Sequence, residues 1–165
     1  MKALVVYSSQ TGNTRKLAEA LYSAMDCEKA IRPVEEAPDP SGFDFVAVGF
    51  WLKAGMPDAK SAAYLERLGE VDLFLFATHG AAADSEHAKA GIAAARELAS
   101  KARLRGTFNC QGIVAPHVLE KASKKEQPPV WLKDAPSASR HPDERDVHGL
   151  LEAFRKSALE AVKPR

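Results

Sequence analysis

Apolar residues fall along the chain in short blocks separated by amphipathic stretches, the alternation that builds an α/β domain. Lys2–Tyr7 (K-A-L-V-V-Y) predicts a buried strand. A polar turn follows, and then Leu17, Ala18, Leu21 and Ala24 recur at helical spacing. Residues 27–32 alternate weakly, as an edge strand does, and Pro33, Pro38, Pro40 and Gly42 keep any helix after them short. Phe43–Phe50 predicts a third strand, and Ser61–Leu68 a short helix closed by Gly69. Asp72–Thr78 (D-L-F-L-F-A-T) is the clearest core strand. A long helix is expected over Ser85–Leu104, with Ala88, Ile92, Ala95, Ala99 and Ala102 as its packed stripe. Thr107–Ala115 reads as the fifth strand. A last helix is expected from Pro142, with Asp143 and Glu144 in the first turn where the helix dipole favours acid. Its apolar face is Val147, Leu150, Leu151, Phe154 and Ala158.

Near-continuous apolar strands separated by helices imply a parallel sheet covered on both faces. Five strands fit the doubly wound order 2-1-3-4-5, with a ligand crevice at the carboxyl ends of strands 1, 3 and 4. One domain is expected over residues 1–165, interrupted by a long loop at about 117–141 that holds Pro128-Pro129, Trp131, Pro136 and Ser137-Ala138-Ser139. Loops of that length in a compact domain tend to be functional.

Composition narrows the function. The chain has 165 residues, 45% hydrophobic and 27% charged, with a net charge of +1, so no global field argues for nucleic acid or an anionic membrane. Residues 1–82 are net −3 and residues 83–165 net +4. Lys121, Lys124 and Lys125 read as a solvated helix end or as a patch that steers an acidic partner. No apolar run is long enough to span a membrane, and Met1 leads into a strand without a basic leader, so a cytoplasmic location is expected. Two cysteines exclude a disulfide framework and a paired C-x-x-C zinc site. Cys27 and Cys110 fall on opposite sheet edges and read as small buried residues. Five histidines, at 79, 87, 117, 141 and 148, show no ligand spacing, so no metal is expected. No G-x-S-x-G elbow occurs, and Asp84 and Glu86 read as helix-start carboxylates, so no catalytic residue is assigned. Lys163-Pro164-Arg165 reads as a frayed tail.

The turn after strand 1 carries the chemistry. Ser8-Ser9-Gln10-Thr11-Gly12-Asn13-Thr14 lies between a strand and a helix, where backbone N–H groups point at whatever sits above the helix N-terminus. Gly12 allows close approach, while Ser9, Thr11 and Thr14 offer hydroxyls and Asn13 an amide. A phosphate would satisfy them. Neither G-x-x-x-x-G-K-[ST] nor G-x-G-x-x-G is present. Ser9-Gln10-Thr11-Gly12-Asn13-Thr14 resembles the flavodoxin phosphate-loop signature [ST]-x-T-G-N-T. The resemblance implies a three-layer flavodoxin-like sandwich that binds FMN and transfers single electrons, with residues 9–14 holding the phosphate. It places the flavin ring between the loops after strands 3 and 4: Trp51, Leu52, Lys53, Ala54 and Gly55 on one side, Thr78, His79 and Gly80 on the other. Trp51 reads as a core or surface aromatic by itself, and beside this loop as a stacking partner. Ala54-Gly55 resembles the small residues whose peptide reorients on flavin reduction. His79 reads equally as a flavin contact or as a bond within its own loop.

Two departures from the family stand out. The loop 78–84 has no aromatic to cover the outer ring face, which leaves Trp131 as a candidate. Flavodoxins are usually acidic, whereas this chain is neutral and has Lys53 in the first ring loop. The expected function is electron transfer between a reductase or ferredoxin-type donor and an acceptor enzyme. The rivals are an FMN-dependent reductase of a quinone-type small molecule and a binding scaffold without tight flavin.

Overall fold

The computed structural model describes the backbone of residues 1–161 and the side chains of residues 1–158; the expected frayed tail at 163–165 lies outside them. The strands are β1 (Lys2–Tyr7), β2 (Glu28–Pro33), β3 (Phe45–Lys53), β4 (Met56–Pro57), β5 (Asp72–His79) and β6 (Arg103–Gln111). The helices are α1 (Asn13–Ala24), α2 (Ala59–Glu66), α3 (Glu86–Leu98), α4 (Pro116–Ser123) and α5 (Glu144–Ala161). The long strands form one parallel sheet in the order β2-β1-β3-β5-β6. This is the expected doubly wound order, with β4 added as the short antiparallel arm of a hairpin on β3.

Period-two alternation sorts the core into two layers. Leu4, Val6, Val46, Val48, Leu73 and Leu75 point to the face covered by α2 and α3. Ala3, Val5, Phe45, Ala47, Phe74 and Phe76 point to the face covered by α1 and α5. On the second face Phe154 of α5 meets Phe45 and Phe74 edge-on, with ring centroids 5.6 and 5.8 Å apart.

Several element boundaries differ from the sequence expectation, each for a local reason. On α1, Ala24 is exposed and Met25, just past the helix, is buried in its place. Helix α3 ends at Leu98 rather than at residue 104, because residues 103 and 104 already belong to β6. That strand therefore starts and ends four residues earlier than expected. A register shift opposite Leu73/Phe74 makes Arg105 an extra residue in β6, so Arg103 and Arg105 both reach Asp72, at 2.8 and 3.0 Å. Helix α5 begins at Glu144. Pro142 precedes it, after a cis His141–Pro142 bond, and Asp143 Oδ1 accepts the N–H groups of Arg145 and Asp146. The segment expected as a long loop is ordered as α4 and two 3-10 turns, Val130–Asp134 and Ser137–Arg140.

Candidate functional site

The carboxyl ends of β1, β3, β5 and β6 surround a cavity of about 570 Å³. Of the fourteen residues the sequence nominates, it brings twelve to the wall: Ser9, Gln10, Thr11, Asn13 and Thr14; Trp51, Leu52, Lys53 and Ala54; Thr78, His79 and Gly80. Gly12 and Gly55 are not among the lining residues, and both have positive φ. Gly12 is the α1 N-cap at φ +89°, and Gly55 completes the β3–β4 turn at φ +80°.

The N-terminus of α1 differs from those of α2 and α3. Asp58 and Ser85 cap α2 and α3 by accepting the N–H of Ser61 and Ala88. Gly12 has no side chain to do this, and the first turn of α1 contains no acid. Its N–H groups are left for an external acceptor. The side chains of the loop are engaged differently from the expectation that all of them face a phosphate. Ser9 Oγ accepts the Gly12 N–H at 3.1 Å. The Thr14 and Thr78 hydroxyls are paired at 2.9 Å, tying α1 to β5. Asn13 Nδ2 donates to the Ile113 carbonyl at 2.9 Å, so its amide holds the loop after β6. Gly112 makes that approach possible, because a Cβ there would lie 2.5 Å from Asn13 Nδ2. Thr11 stands exposed at the loop tip.

The first ring loop is a hairpin rather than an open loop. Strand β3 continues through Trp51 to Lys53 and folds back at Ala54-Gly55, with φ +51° and +80°. Two successive positive φ values mark the primed turn that suits a two-residue hairpin. Asp58 locks the hairpin to β1, since its Oδ1 accepts the Ser8 hydroxyl at 2.9 Å. Trp51 lies in register with Thr78, and its indole Nε1 is buried without a hydrogen-bond partner. A buried donor without an acceptor is costly.

His79 resolves toward its own loop. The ring is 6% exposed, with Nδ1 3.0 Å from the Ala81 carbonyl and Nε2 2.8 Å from Asn109 Oδ1. Burial pushes its pKa below the ordinary histidine value, against the pull of those two bonds. A neutral ring donates Nδ1–H to the carbonyl and must accept at Nε2, which requires Asn109 to turn its amide nitrogen toward it.

A further wall was missed from the sequence. Gly112–Ala115, His117 and Val118, at the end of β6 and the start of α4, line the cavity together with His87 and Trp131. Trp131 packs on Gly80: a Cβ on Gly80 would lie 3.1 Å from Trp131 Cε3 and 2.8 Å from Val114 Cγ2. Trp131 is the aromatic the sequence offers for this side of the cavity; residues 112–118 and His87 are the part it did not signal.

The flavodoxin domain model matches residues 4–155. The chain belongs to the flavodoxin family. This flavodoxin-family chain is 31% identical over 160 residues to the flavodoxin-like domain-containing protein BilS of Clostridioides difficile (strain CD3), covering 90% of this chain and 91% of that protein. Among solved structures, oxidised flavodoxin 2 from Bacillus cereus superposes with a TM-score of 0.64 at 17% identity, covering 97% of this chain and 99% of that one. A flavoprotein from Lactobacillus acidophilus NCFM in complex with FMN gives 0.56 at 16% identity, over 74% of this chain and 99% of that one. At those identities the likeness concerns the fold alone.

Cys27 and Cys110 are free, and burial pushes the Cys110 thiol strongly upward. His141, Asp143 and Asp146 converge at the start of α5, where their bonds are those of the helix cap. No helix among the described residues is long and apolar enough to cross a membrane.

Proposed function

We propose that this flavodoxin-family protein binds FMN in the cavity and passes electrons between redox partner proteins. The observation that carries the reading is the meeting of the uncapped α1 N-terminus and Trp51 in the wall of one cavity. The backbone of residues 11–14, with the exposed Thr11 hydroxyl, would hold the phosphate. Trp51, Leu52 and the Ala54-Gly55 turn would support one side of the ring, and Thr78–Gly80 would line its polar edge. FMN supplies the redox chemistry when bound. The chain's own residues bind and orient it, restrict water, and set the local charge through Lys53. Two free cysteines fit a reducing compartment such as the cytoplasm.

The apolar wall formed by Ile113, Val114 and Val118 favours a second reading, an FMN-dependent reductase of a small planar molecule. An absorbance titration of the purified protein with FMN, followed by stepwise reduction, separates the readings. Flavin uptake with a distinct one-electron stage is expected for the carrier. Uptake with two-electron reduction only, plus turnover of NAD(P)H with a quinone, would replace it by the reductase. No flavin uptake would overturn both.

A further inference from the structure

The large apolar side chains left exposed on this chain are not scattered. Apart from Met1, those among the described residues are Met56, Ile113, Val118 and Val130. Two of them line the cavity, and the other two adjoin residues that line it. Ile113 and Val118 line it directly. Val130, 71% exposed, precedes Trp131, which lines it. Met56 pairs across the hairpin with Lys53, which lines it too. An apolar rim around a redox site, surrounded by polar surface, marks a place where another macromolecule sits.

On the β3–β4 hairpin, α4 and the segment to residue 134, lysines outnumber carboxylates. No aspartate or glutamate lines the cavity, whereas Lys53, His87 and His117 do. On α4 and just beyond it, Lys121 and Lys125 follow Val118 at helical spacing, and Lys133 lies two residues after Trp131. Among the described residues Lys53, Lys121, Lys125 and Lys133 make no ion pair, while Lys124 is held by Glu120 at 2.6 Å. In the same segments Glu86 is paired with Lys89, and the Asp134 carboxylate accepts the Ala82 N–H. Asp84 and Glu126 are the exposed carboxylates that remain there.

We infer that the face formed by the β3–β4 hairpin, α4 and the 130–134 turn is the docking surface for an acidic redox protein, which rests its own apolar patch on Ile113, Val118 and Val130. The inference rests on the reading of bound FMN and adds the place and the charge of the partner. In the encounter one electron leaves the partner's reduced centre and enters the bound flavin; the partner is oxidised by one electron, and no covalent bond forms between the proteins. Lysines at the rim steer the approach and set its salt dependence. The apolar contacts hold the complex once docked.

The test uses the FMN-loaded protein, with loading checked first by the flavin spectrum. The probes are an acidic plant-type [2Fe–2S] ferredoxin as donor and a basic cytochrome c as acceptor, each followed by stopped flow. The ferredoxin rate is expected to fall roughly tenfold as salt rises from about 20 mM to about 0.5 M. The variant K121E/K125E/K133E should lower it about tenfold at low salt, leave FMN affinity unchanged and speed reaction with cytochrome c. Val130→Ser should slow the ferredoxin reaction at high salt, where steering is screened. A ferredoxin rate indifferent to salt and to the triple variant, with flavin bound, overturns the docking surface alone. Failure to take up flavin overturns the docking surface together with the reading beneath it.

Discussion

The indole of Trp131 rests against the Cα of Gly80, across fifty-one residues of chain, in the space a side chain at position 80 would fill. The loop after β5 lacks an aromatic of its own, and this contact brings one to it from the segment after β6. Gly80→Val should displace Trp131 and Val114 and cost about 1–3 kcal/mol. In a Trp51→Phe background, a fall in unfolding midpoint with a red-shifted Trp131 emission would show it. An unchanged spectrum would contradict the contact.

Asn13 joins the loop after β1 to the loop after β6 through the Ile113 carbonyl. Asn13→Ala should cost about 0.5–1.5 kcal/mol. Its signature is regional: amide exchange should accelerate in residues 112–118, while the β3–β5 core keeps its protection. Uniform acceleration throughout the sheet would indicate a global effect instead.

His79 makes stability depend on pH in a defined direction. Its folded pKa lies below the ordinary histidine value of 6.5 because burial disfavours the charged ring. Above that pH neither state binds the proton. As pH falls through 6.5 the unfolded chain takes up a proton that the folded chain refuses, so stability declines until the folded pKa is reached. Urea unfolding at pH 7.5 and 5.5 should show this decline, and His79→Gln should flatten it. An identical decline in the variant would remove His79 as the cause.

Lys53 lines a cavity wall that includes no carboxylate. A cation there favours the negatively charged, fully reduced flavin. Lys53→Glu should lower the second reduction potential by about 20–60 mV, where 59 mV is a tenfold change for one electron. Potentiometric titration of both FMN-loaded proteins measures it; an unchanged or raised potential would refute the electrostatic role.

Much of the scaffold was legible because its signals are local. Four apolar strands and the turn at residues 9–14 lie within short windows, and strands separated by helices imply a parallel sheet that fits the doubly wound order. Boundaries failed where tertiary contacts override local preference. Residues 99–104 continue a helical stripe, yet Arg103 is drawn into β6 by Asp72 and by pairing with β5. The hairpin at Ala54-Gly55 was read as a loop because its partner strand is only two residues long.

The sequence by itself determined the α/β class, the strand order and the phosphate-type turn at residues 9–14, since each depends on periodicity or on residues adjacent in the chain. It also determined the absence of a side chain at Gly12, which leaves the start of α1 uncapped. Only the tertiary structure decided how those loop side chains are used: Asn13 bonds Ile113, Thr14 pairs with Thr78, and His79 is held by Ala81 and Asn109. It alone placed Trp131 on Gly80 and α4 beside the cavity. Such partners lie up to a hundred residues apart, and nothing local encodes them; they follow from close packing of the loops that the sheet brings to one edge.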